Sequence, residues 1–276
     1  MATTTTVARS QEKRRELADK LEQGYSALLD SQNYKDYLAM AARFHHYSPG
    51  NVLAIMIARP DATRVAGFSK WRDMGRQVRK GEKGIRILAP ITYKVQGDDD
   101  DEPTRAIAGF RIAHVFDISQ TDGDELPEVP CAELSGDDAG LFSKLSMLAQ
   151  AEHLAVTRDE PVGVPDGALG CYDGSRIWIK SGLSPAQSAK TLAHELGHHF
   201  GKHKSVCRDA GEIEAESVAY IVLGHHGIDA SAYSFGYLAS WADDSAQLRE
   251  RLGYVLELTN KIIDGLDGLA AEEKAA

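Results

Sequence analysis

Two histidines and a glutamate lie at the spacing His-Glu-x-x-His over residues 194–198. Residues i and i+4 of an α-helix are about 40° apart around its axis, so both imidazoles can reach one ion from the same side. Glu195 follows the first histidine and can take a proton from a water molecule held by the metal. This spacing predicts a Zn²⁺ site with His194 and His198 as ligands and Glu195 as the general base.

A catalytic zinc ion needs a third protein ligand and one position open for water. The pattern HExxHxxGxxH fails because position 204 is a lysine and no methionine follows the motif. The gluzincin pattern takes a glutamate from a second helix, and the segment EIEAE over residues 212–216 matches it. We therefore expect Glu212 to bind the metal and Glu216 to hydrogen-bond a ligand histidine. The opposite assignment, with Glu216 as the metal ligand and Glu212 in the supporting role, stays open. We expect Glu214, on the opposite side of the helix, to be solvated.

The motif requires a helix, and the sequence contains a start signal for one. Residues 184–187, Ser-Pro-Ala-Gln, have the pattern of a capping box with proline at the first helical position, which predicts a helix start. Before it, two short strands are expected around the turn at Asp173 and Gly174. Three further helices are expected in this half of the chain, over 137–156, 209–226 and about 245–266.

The first half of the chain mixes helix and strand signals. Apolar residues at helical spacing predict three helices, over 8–30, 33–47 and 51–59. Ser69 can cap a fourth, short helix that runs through Met74 and ends at Gly75. Alternating apolar residues predict strands over 85–95 and 106–116, joined by an acidic hairpin tip. We therefore expect an α+β first domain.

The chain has 276 residues, 43% of them hydrophobic, and a formal net charge of −10. These values are typical of a globular protein and exclude a disordered chain and a coiled coil. The charge is unevenly spread, because residues 1–94 carry a net charge of +8 and residues 95–276 one of −18. A basic part joined to an acidic part indicates two domains with different tasks.

Residues 121–136 are rich in proline, glycine and acids, which predicts a linker between domains at 1–120 and 137–276. No apolar run approaches the roughly 20 residues of a membrane span. No apolar segment precedes the first basic cluster, so we expect no secretory signal. The three cysteines are scattered and form no CxxC pair. We expect a cytoplasmic protein with no membrane partner.

The segment from residue 64 to residue 86 combines cations, aromatic residues and glycine turns. Proteins that bind single-stranded nucleic acid use cations to neutralise phosphates and aromatic faces to stack on bases. A solvated basic face would have a similar composition, so that interpretation stays open. The candidate nucleic-acid contacts are Lys70, Trp71, Arg76, Arg79, Lys80, Lys83 and Arg86.

Three parts of the first half resemble a known family. Asn51, the W-x-x-x-G-x-x-V-x-K-G-E-K-G segment that begins at Trp71, and the segment VFDISQT over 115–121 are similar to the N-terminal single-stranded-DNA-binding domain of ArdC-type antirestriction proteins. In that family the domain precedes a zinc-metallopeptidase-like domain with HExxH, similar to the ImmA/IrrE peptidases. The resemblance implies an N-terminal α+β single-stranded-DNA-binding domain followed by a zincin-like (gluzincin) metallopeptidase domain.

The resemblance and the motif together predict a single-stranded-DNA-binding protein with a zinc-dependent metallopeptidase domain. The expected partners are single-stranded DNA and an unidentified protein substrate, in an antirestriction or mobile-element setting. Two alternatives stay open. In one, the protein masks DNA and its zinc site is not proteolytic. In the other, it is a regulatory metallopeptidase that cleaves a repressor.

Overall fold

The computed structural model describes residues 2–95, 104–125, 137–161, 164, 167–202, 210–229 and 245–275. The chain divides into two compact units. The first contains Met1–Gly24 and Gly50–Pro127, and the second contains Tyr25–Pro49 and Glu128–Ala276. Within the described ranges, no helix combines the length and the apolar character that crossing a membrane requires.

The units differ from the expected domains because residues 25–49 group with the second unit. This segment contains helix α2 (Ser31–Phe44), which packs on helix α7 (Ala210–His225). Between the two helices, the hydroxyls of Tyr34 and Ser217 are hydrogen-bonded at 2.9 Å, and both residues are fully buried. The expected acidic hairpin tip at 98–103 and residues 126–136 of the expected linker lie outside the described residues.

The first unit has a three-stranded antiparallel sheet in the order β1-β4-β3. Its strands are β1 (Val65–Gly67), β3 (Ile85–Val95) and β4 (Thr104–Asp117). A second antiparallel pair consists of β2 (Arg76–Val78) and β5 (Thr121–Gly123), so the start of the expected linker is a strand. The helices of this unit are α1 (Ala2–Ala27), α3 (Pro49–Ala58) and α4 (Phe68–Asp73), with the last residues of α1 belonging to the second unit.

Asn51 attaches helix α3 to strand β3. Its side-chain nitrogen donates to the carbonyl of Leu88, and its side-chain oxygen accepts the Leu88 N–H, each at 2.9 Å. The amide thus satisfies both backbone groups of one residue of the strand, as a neighbouring strand would.

Asp117 ties the end of β4 to the loop that precedes β1. Its carboxylate accepts hydrogen bonds from the backbone N–H groups of Thr63 (2.9 Å), Arg64 (3.1 Å) and Ser119 (2.9 Å). Burial raises the pKa of Asp117, but the hydrogen bonds outweigh burial and hold the pKa below its ordinary value. Asp117 therefore stabilises the fold most in its charged form.

The second unit packs helices around a small sheet in the order β6-β8-β7. Strand β8 (Arg176–Ile179) is central and buried. It pairs in parallel with β6 (Ala155–Thr157) and antiparallel with β7 (Gly170–Tyr172). The remaining helices are α5 (Leu141–Ala151), α6 (Pro185–Phe200) and α8 (Ser245–Ala275). The predicted α+β fold class is confirmed, whereas the helix expected over 137–156 is shorter and is followed by β6.

We expect the substitution Asp117→Asn to lower the free energy of unfolding by about 1–3 kcal/mol at pH 7, since it removes a charged acceptor of three backbone N–H groups. The pKa of Asp117 is depressed in the folded state, so its contribution is complete above the pKa of the unfolded chain, about 4. The difference between wild type and variant should shrink as the pH falls below that value. Urea denaturation over a pH series measures it.

Asp73→Asn, at an exposed position on α4, is the matched control and should leave stability unchanged. An Asp117→Asn effect that stayed constant down to pH 2 would contradict the charged role of Asp117.

Candidate metal centre

Helices α6 and α7 approach each other closely at Gly197 and Ala215. A Cβ atom on residue 197 would lie 3.1 Å from the Cα of Ala215, so any side chain there would push the two helix backbones apart by a few tenths of an ångström. Ala215 is fully buried at the contact. The small residues bring the first turn of α7, which carries Glu212, next to the histidines of α6.

The start of α6 has half of the predicted capping box, because the Gln187 side chain donates to Thr191 and not back to Ser184. The Ser184 hydroxyl accepts a hydrogen bond from the N–H of Gln187 at 3.2 Å, and Pro185 occupies the first helical position. From this start, His194 and His198 fall one turn apart. Both imidazoles are mostly buried, with 18% and 11% of the side chain exposed.

His194, His198 and Glu212 form the one cluster of metal-binding groups found among the described residues, with one ligand atom of each within 4.8 Å of the others. The Nε2 atoms of the two histidines are 3.1 Å apart. The Glu212 carboxylate lies 3.3 Å from Nε2 of His194 and 3.4 Å from Nε2 of His198. The structure thus brings together the three residues that the sequence predicts as ligands.

Glu216 lies one turn further along α7, on the other side of the His194 ring. Its carboxylate is 3.2 Å from Nδ1 of His194 and also forms an ion pair with Lys190. A carboxylate on Nδ1 fixes the ring orientation and leaves Nε2 facing Glu212. This geometry agrees with the supporting role expected for Glu216. Nothing in the sequence pattern singles out Lys190, although it lies one turn before His194 on α6.

The charges of the cluster favour a bound cation. Burial lowers the pKa of His194, but its hydrogen bonds with Glu212 and Glu216 outweigh burial and raise the pKa to about 9. The hydrogen bonds with His194 and His198 hold the pKa of Glu212 well below its usual range. Two imidazole nitrogens and a carboxylate are a donor set that suits a divalent metal ion such as Zn²⁺. The residues present therefore fit a metal.

Glu195 is held beside the cluster by the edge strand β7. The residue is 6% exposed, and its carboxylate accepts the backbone N–H of Tyr172. Burial raises the pKa of Glu195 against the opposing effect of both histidines. Gly170 leaves space for it, because a Cβ atom there would lie 2.9 Å from Oε1 of Glu195 and 2.5 Å from Cγ2 of Thr191. The sequence predicts this hairpin but gives no signal for Gly170 or Tyr172 individually.

The expectation that Glu214 is solvated is wrong. Glu214 is 7% exposed, and its carboxylate lies 2.9 Å from the Arg251 guanidinium on α8. Helix α8 covers the side of α7 that faces away from the histidines, and the spacing of residues on α7 alone does not reveal this second neighbour.

Several predicted nucleic-acid contacts instead support the first unit. Trp71 is 1% exposed and donates from Nε1 to the Phe116 carbonyl at 2.8 Å, so its ring is not available to stack on a base. The Arg76 guanidinium bonds to the hydroxyl and carbonyl of Thr121 and to the carbonyls of Gly123 and Asp124.

Arg79 is similarly engaged, with Glu82 at 3.0 Å, Asp122 at 3.3 Å and the Ser119 carbonyl. Arg86 forms an ion pair with Glu16 at 3.1 Å. The side chains of the three predicted lysines are exposed: Lys70, Lys80 and Lys83. Among the candidate contacts, the three arginines are therefore bonded within their own unit and the three lysines face solvent.

Two family models match the chain. Residues 10–116 match the N-terminal domain of the anti-restriction factor ArdC. Residues 151–261 match the IrrE N-terminal-like domain of the M78 peptidase family. The second half is therefore metallopeptidase-like, and the two domains follow each other in the order that the resemblance implies.

An uncharacterized protein of Bacillus anthracis is 25% identical over 311 aligned positions, which include 95% of this chain. The chain spans about half, 52%, of that relative. Two crystal structures of the antirestriction ArdC protein from the R388 plasmid are also similar. The metal-free structure is 20% identical with a TM-score of 0.49, over 80% of this chain and 86% of that one. The Mn(II)-bound structure is 18% identical with a TM-score of 0.48, over 80% and 85%.

We expect substitutions of the two carboxylates on α7 to separate their roles. Glu216→Gln should weaken Zn²⁺ binding about 10–100-fold, since it removes the support of His194 but no ligand. Glu212→Gln should weaken binding more than Glu216→Gln. Isothermal titration with Zn²⁺ measures both, and the reverse order of losses would assign the ligand role to Glu216.

Widening the contact between α6 and α7 should also weaken the metal site. Gly197→Val forces the helices apart against Ala215, so we expect about a tenfold loss of Zn²⁺ affinity and a loss of about 1–3 kcal/mol in unfolding free energy. Gly268→Val is the control, because a Cβ atom at that position meets nothing within 4 Å. Unchanged Zn²⁺ affinity in Gly197→Val would show that the close approach is not needed.

Proposed function

We propose that this ArdC-type chain, in which an ArdC N-terminal domain precedes an IrrE-like domain, binds single-stranded DNA and hydrolyses a peptide bond in a protein substrate. The observation that carries the proposal is the cluster of His194, His198 and Glu212 with Glu195 beside it. A general base next to three metal ligands has no evident purpose in a site that only stabilises the fold.

His194, His198 and Glu212 would hold the metal, for which we propose Zn²⁺. When bound, the ion supplies a Lewis acid that polarises the scissile carbonyl and acidifies water. Glu195 is buried and has a raised pKa, so its carboxylate is suited to accept a proton from the attacking water and to return it to the leaving amine. Tyr172 orients that carboxylate through its backbone N–H, and Gly170 keeps the space beside it open.

The DNA-binding part of the proposal rests on the ArdC N-terminal model over residues 10–116 and on the exposed lysines of the basic segment. Cations free of internal partners neutralise phosphates more readily than arginines that are already bonded to carbonyls. Because DNA and its restriction enzymes occur together inside the cell, the proposed function implies a cytoplasmic protein.

We expect Glu195→Gln to keep Zn²⁺ bound and to abolish peptide hydrolysis, because the amide cannot accept the proton while the three ligands are unchanged. Wild type and variant are loaded with Zn²⁺ and incubated with a peptide library, with and without single-stranded DNA. Mass spectrometry detects the products.

Lys180→Gln, at an exposed position between β8 and α6, is the matched control and should cleave as wild type does. Cleavage that survived Glu195→Gln would contradict the mechanism, as would loss of Zn²⁺ from this variant.

A second candidate function is DNA masking with a metal site that is not proteolytic, favoured by the match to the domain of an anti-restriction factor. In that case the chain would protect single-stranded or duplex DNA from a restriction enzyme equally well in wild type and in Glu195→Gln. Protection that is lost in Glu195→Gln would instead link antirestriction to hydrolysis. A repressor-cleaving peptidase, the third possibility, would hydrolyse its target without any affinity for DNA.

A further inference from the structure

The hairpin of strands β3 and β4 has two sides with different surroundings. Register partners of an antiparallel pair have their side chains on the same side of the sheet, and the side alternates from one residue to the next. One side includes Ile85, its partner Val115 and also Ile87, and all three residues are buried. The other side includes Pro90 with its partner Phe110, and both are exposed. The hairpin therefore packs on its unit through one side and presents the other side to solvent.

The exposed side combines aromatic and aliphatic residues. Phe110 is 50% exposed, and His114, further along β4 on the same side, is exposed as well. Leu88 and its partner Ile112 are half-buried between these two rings. We call this surface of Leu88, Pro90, Phe110, Ile112 and His114 the hairpin face. Aromatic rings on the surface of a sheet are a platform on which the bases of single-stranded nucleic acid stack.

The two strands that form the hairpin face carry cations and no carboxylate. Residues 85–95 and 104–116 include no aspartate and no glutamate. They include four cationic residues: Arg86, Lys94, Arg105 and Arg111. Arg86 is paired with Glu16, whereas Arg111 is exposed. The charge and the rings together suit a partner that joins flat apolar groups to anions, and single-stranded DNA is such a partner.

The hairpin face adjoins the turn that carries an exposed lysine of the basic segment. A Cβ atom on Gly84 would lie 2.9 Å from the Cβ of His114 and 3.0 Å from the ring of Phe116. The turn therefore lies directly against the end of β4 that carries His114. Lys83, the residue before Gly84, is exposed. A strand stacked on His114 thus has a cation for its phosphates within the neighbouring turn.

The acidic residues 98–102 follow β3 in the sequence and would repel phosphates at close range. Pro90, the partner of Phe110, lies five residues before Val95 at the end of β3, which is about 17 Å at 3.4 Å per residue. The Debye length at physiological ionic strength is about 8 Å. Repulsion from an acidic run that begins beyond this end of the strand is therefore largely screened at Phe110.

We propose that the hairpin face binds single-stranded DNA, with one base stacked on Phe110, another on His114, and Lys83 on a phosphate. The inference rests on the proposed DNA-binding function and adds the position and chemistry of the contact. Phe110 and His114 lie about 14 Å apart along β4, so each ring can take a separate base. Stacking on these rings reads no base edge, which agrees with binding that tolerates any sequence.

The stacking contact is tested by fluorescence anisotropy of the 276-residue chain with a labelled oligo(dT) of about ten nucleotides. We expect Phe110→Ala to weaken binding about tenfold and to leave the salt dependence unchanged, because one base loses its ring while every cation is kept. Tyr93→Ala is the matched control and should bind as wild type does. Tyr93 is 54% exposed on the same hairpin, but it lies on the side of Ile85 and Ile87.

An abasic strand of equal length separates stacking from charge. Wild type should bind oligo(dT) about 100-fold more tightly than the abasic strand, at about tenfold for each stacked base, and Phe110→Ala should keep only about tenfold. Lys83→Gln should instead reduce the slope of log K against log[salt] by about 0.7, the value for one phosphate contact on a single strand. Lys180→Gln, at an exposed position of the second unit, should leave the slope unchanged. Circular dichroism and thermal unfolding check that each variant is folded.

The outcomes separate the two levels of the proposal. Absence of DNA binding by the wild type would contradict the DNA-binding function itself. Equal losses in Phe110→Ala and Tyr93→Ala, or no loss in either, would overturn the hairpin face and leave the function standing. Sedimentation velocity tests another occupant. A wild-type dimer that Phe110→Ala dissociates without a change in DNA affinity would also overturn the proposal, because the hairpin face would then bind a second copy of the chain.

Discussion

The candidate metal centre depends on the contact between Gly197 and Ala215. Helix backbones approach this closely when the residues between them have almost no side chain, and here a single Cβ atom would disturb the approach. The contact sets the distance from the histidines of α6 to the first turn of α7. With a wider spacing, the Glu212 carboxylate would no longer reach two imidazole nitrogens at once. Polar residues supply the atoms that can bind a metal, but two small apolar residues, Gly197 and Ala215, set the positions of those atoms.

The charges around His194 show how a half-buried candidate metal site is balanced by its neighbours. Glu212 faces one ring nitrogen and Glu216 the other, and Lys190 balances the second carboxylate. Each group is therefore paired, which avoids the large penalty for an isolated buried charge. The excess of carboxylates over cations at the centre still favours a positive ion. The acidic composition of the second half of the chain thus includes charges that serve the centre.

The sequence predicts the features that follow from residue spacing within one helix. It misses the features that depend on residues far away in the chain. The spacing of His194 and His198 and the capped start of α6 follow from one helix, and the structure has both. Glu214 is buried because helix α8 covers it, and Trp71 is buried where its Nε1 donates to the Phe116 carbonyl of β4. Residue type alone also cannot show whether a cation is already bonded within its own unit. The grouping of residues 25–49 with the second unit is likewise a tertiary fact, set by buried pairs such as Tyr34 and Ser217.

That grouping has a consequence for synthesis on the ribosome. Helix α2 leaves the ribosome early, yet the Ser217 hydroxyl that its Tyr34 bonds lies 183 residues later in the chain. The side of α2 that faces α7 can therefore pack on it only after residues 50–127, and the second unit as far as Ser217, have been translated. Contacts of such long sequence separation form slowly, because the entropy of closing a long loop is lost before they form. The first unit lacks this delay over residues 50–127 and can fold while the metal ligands are still being translated.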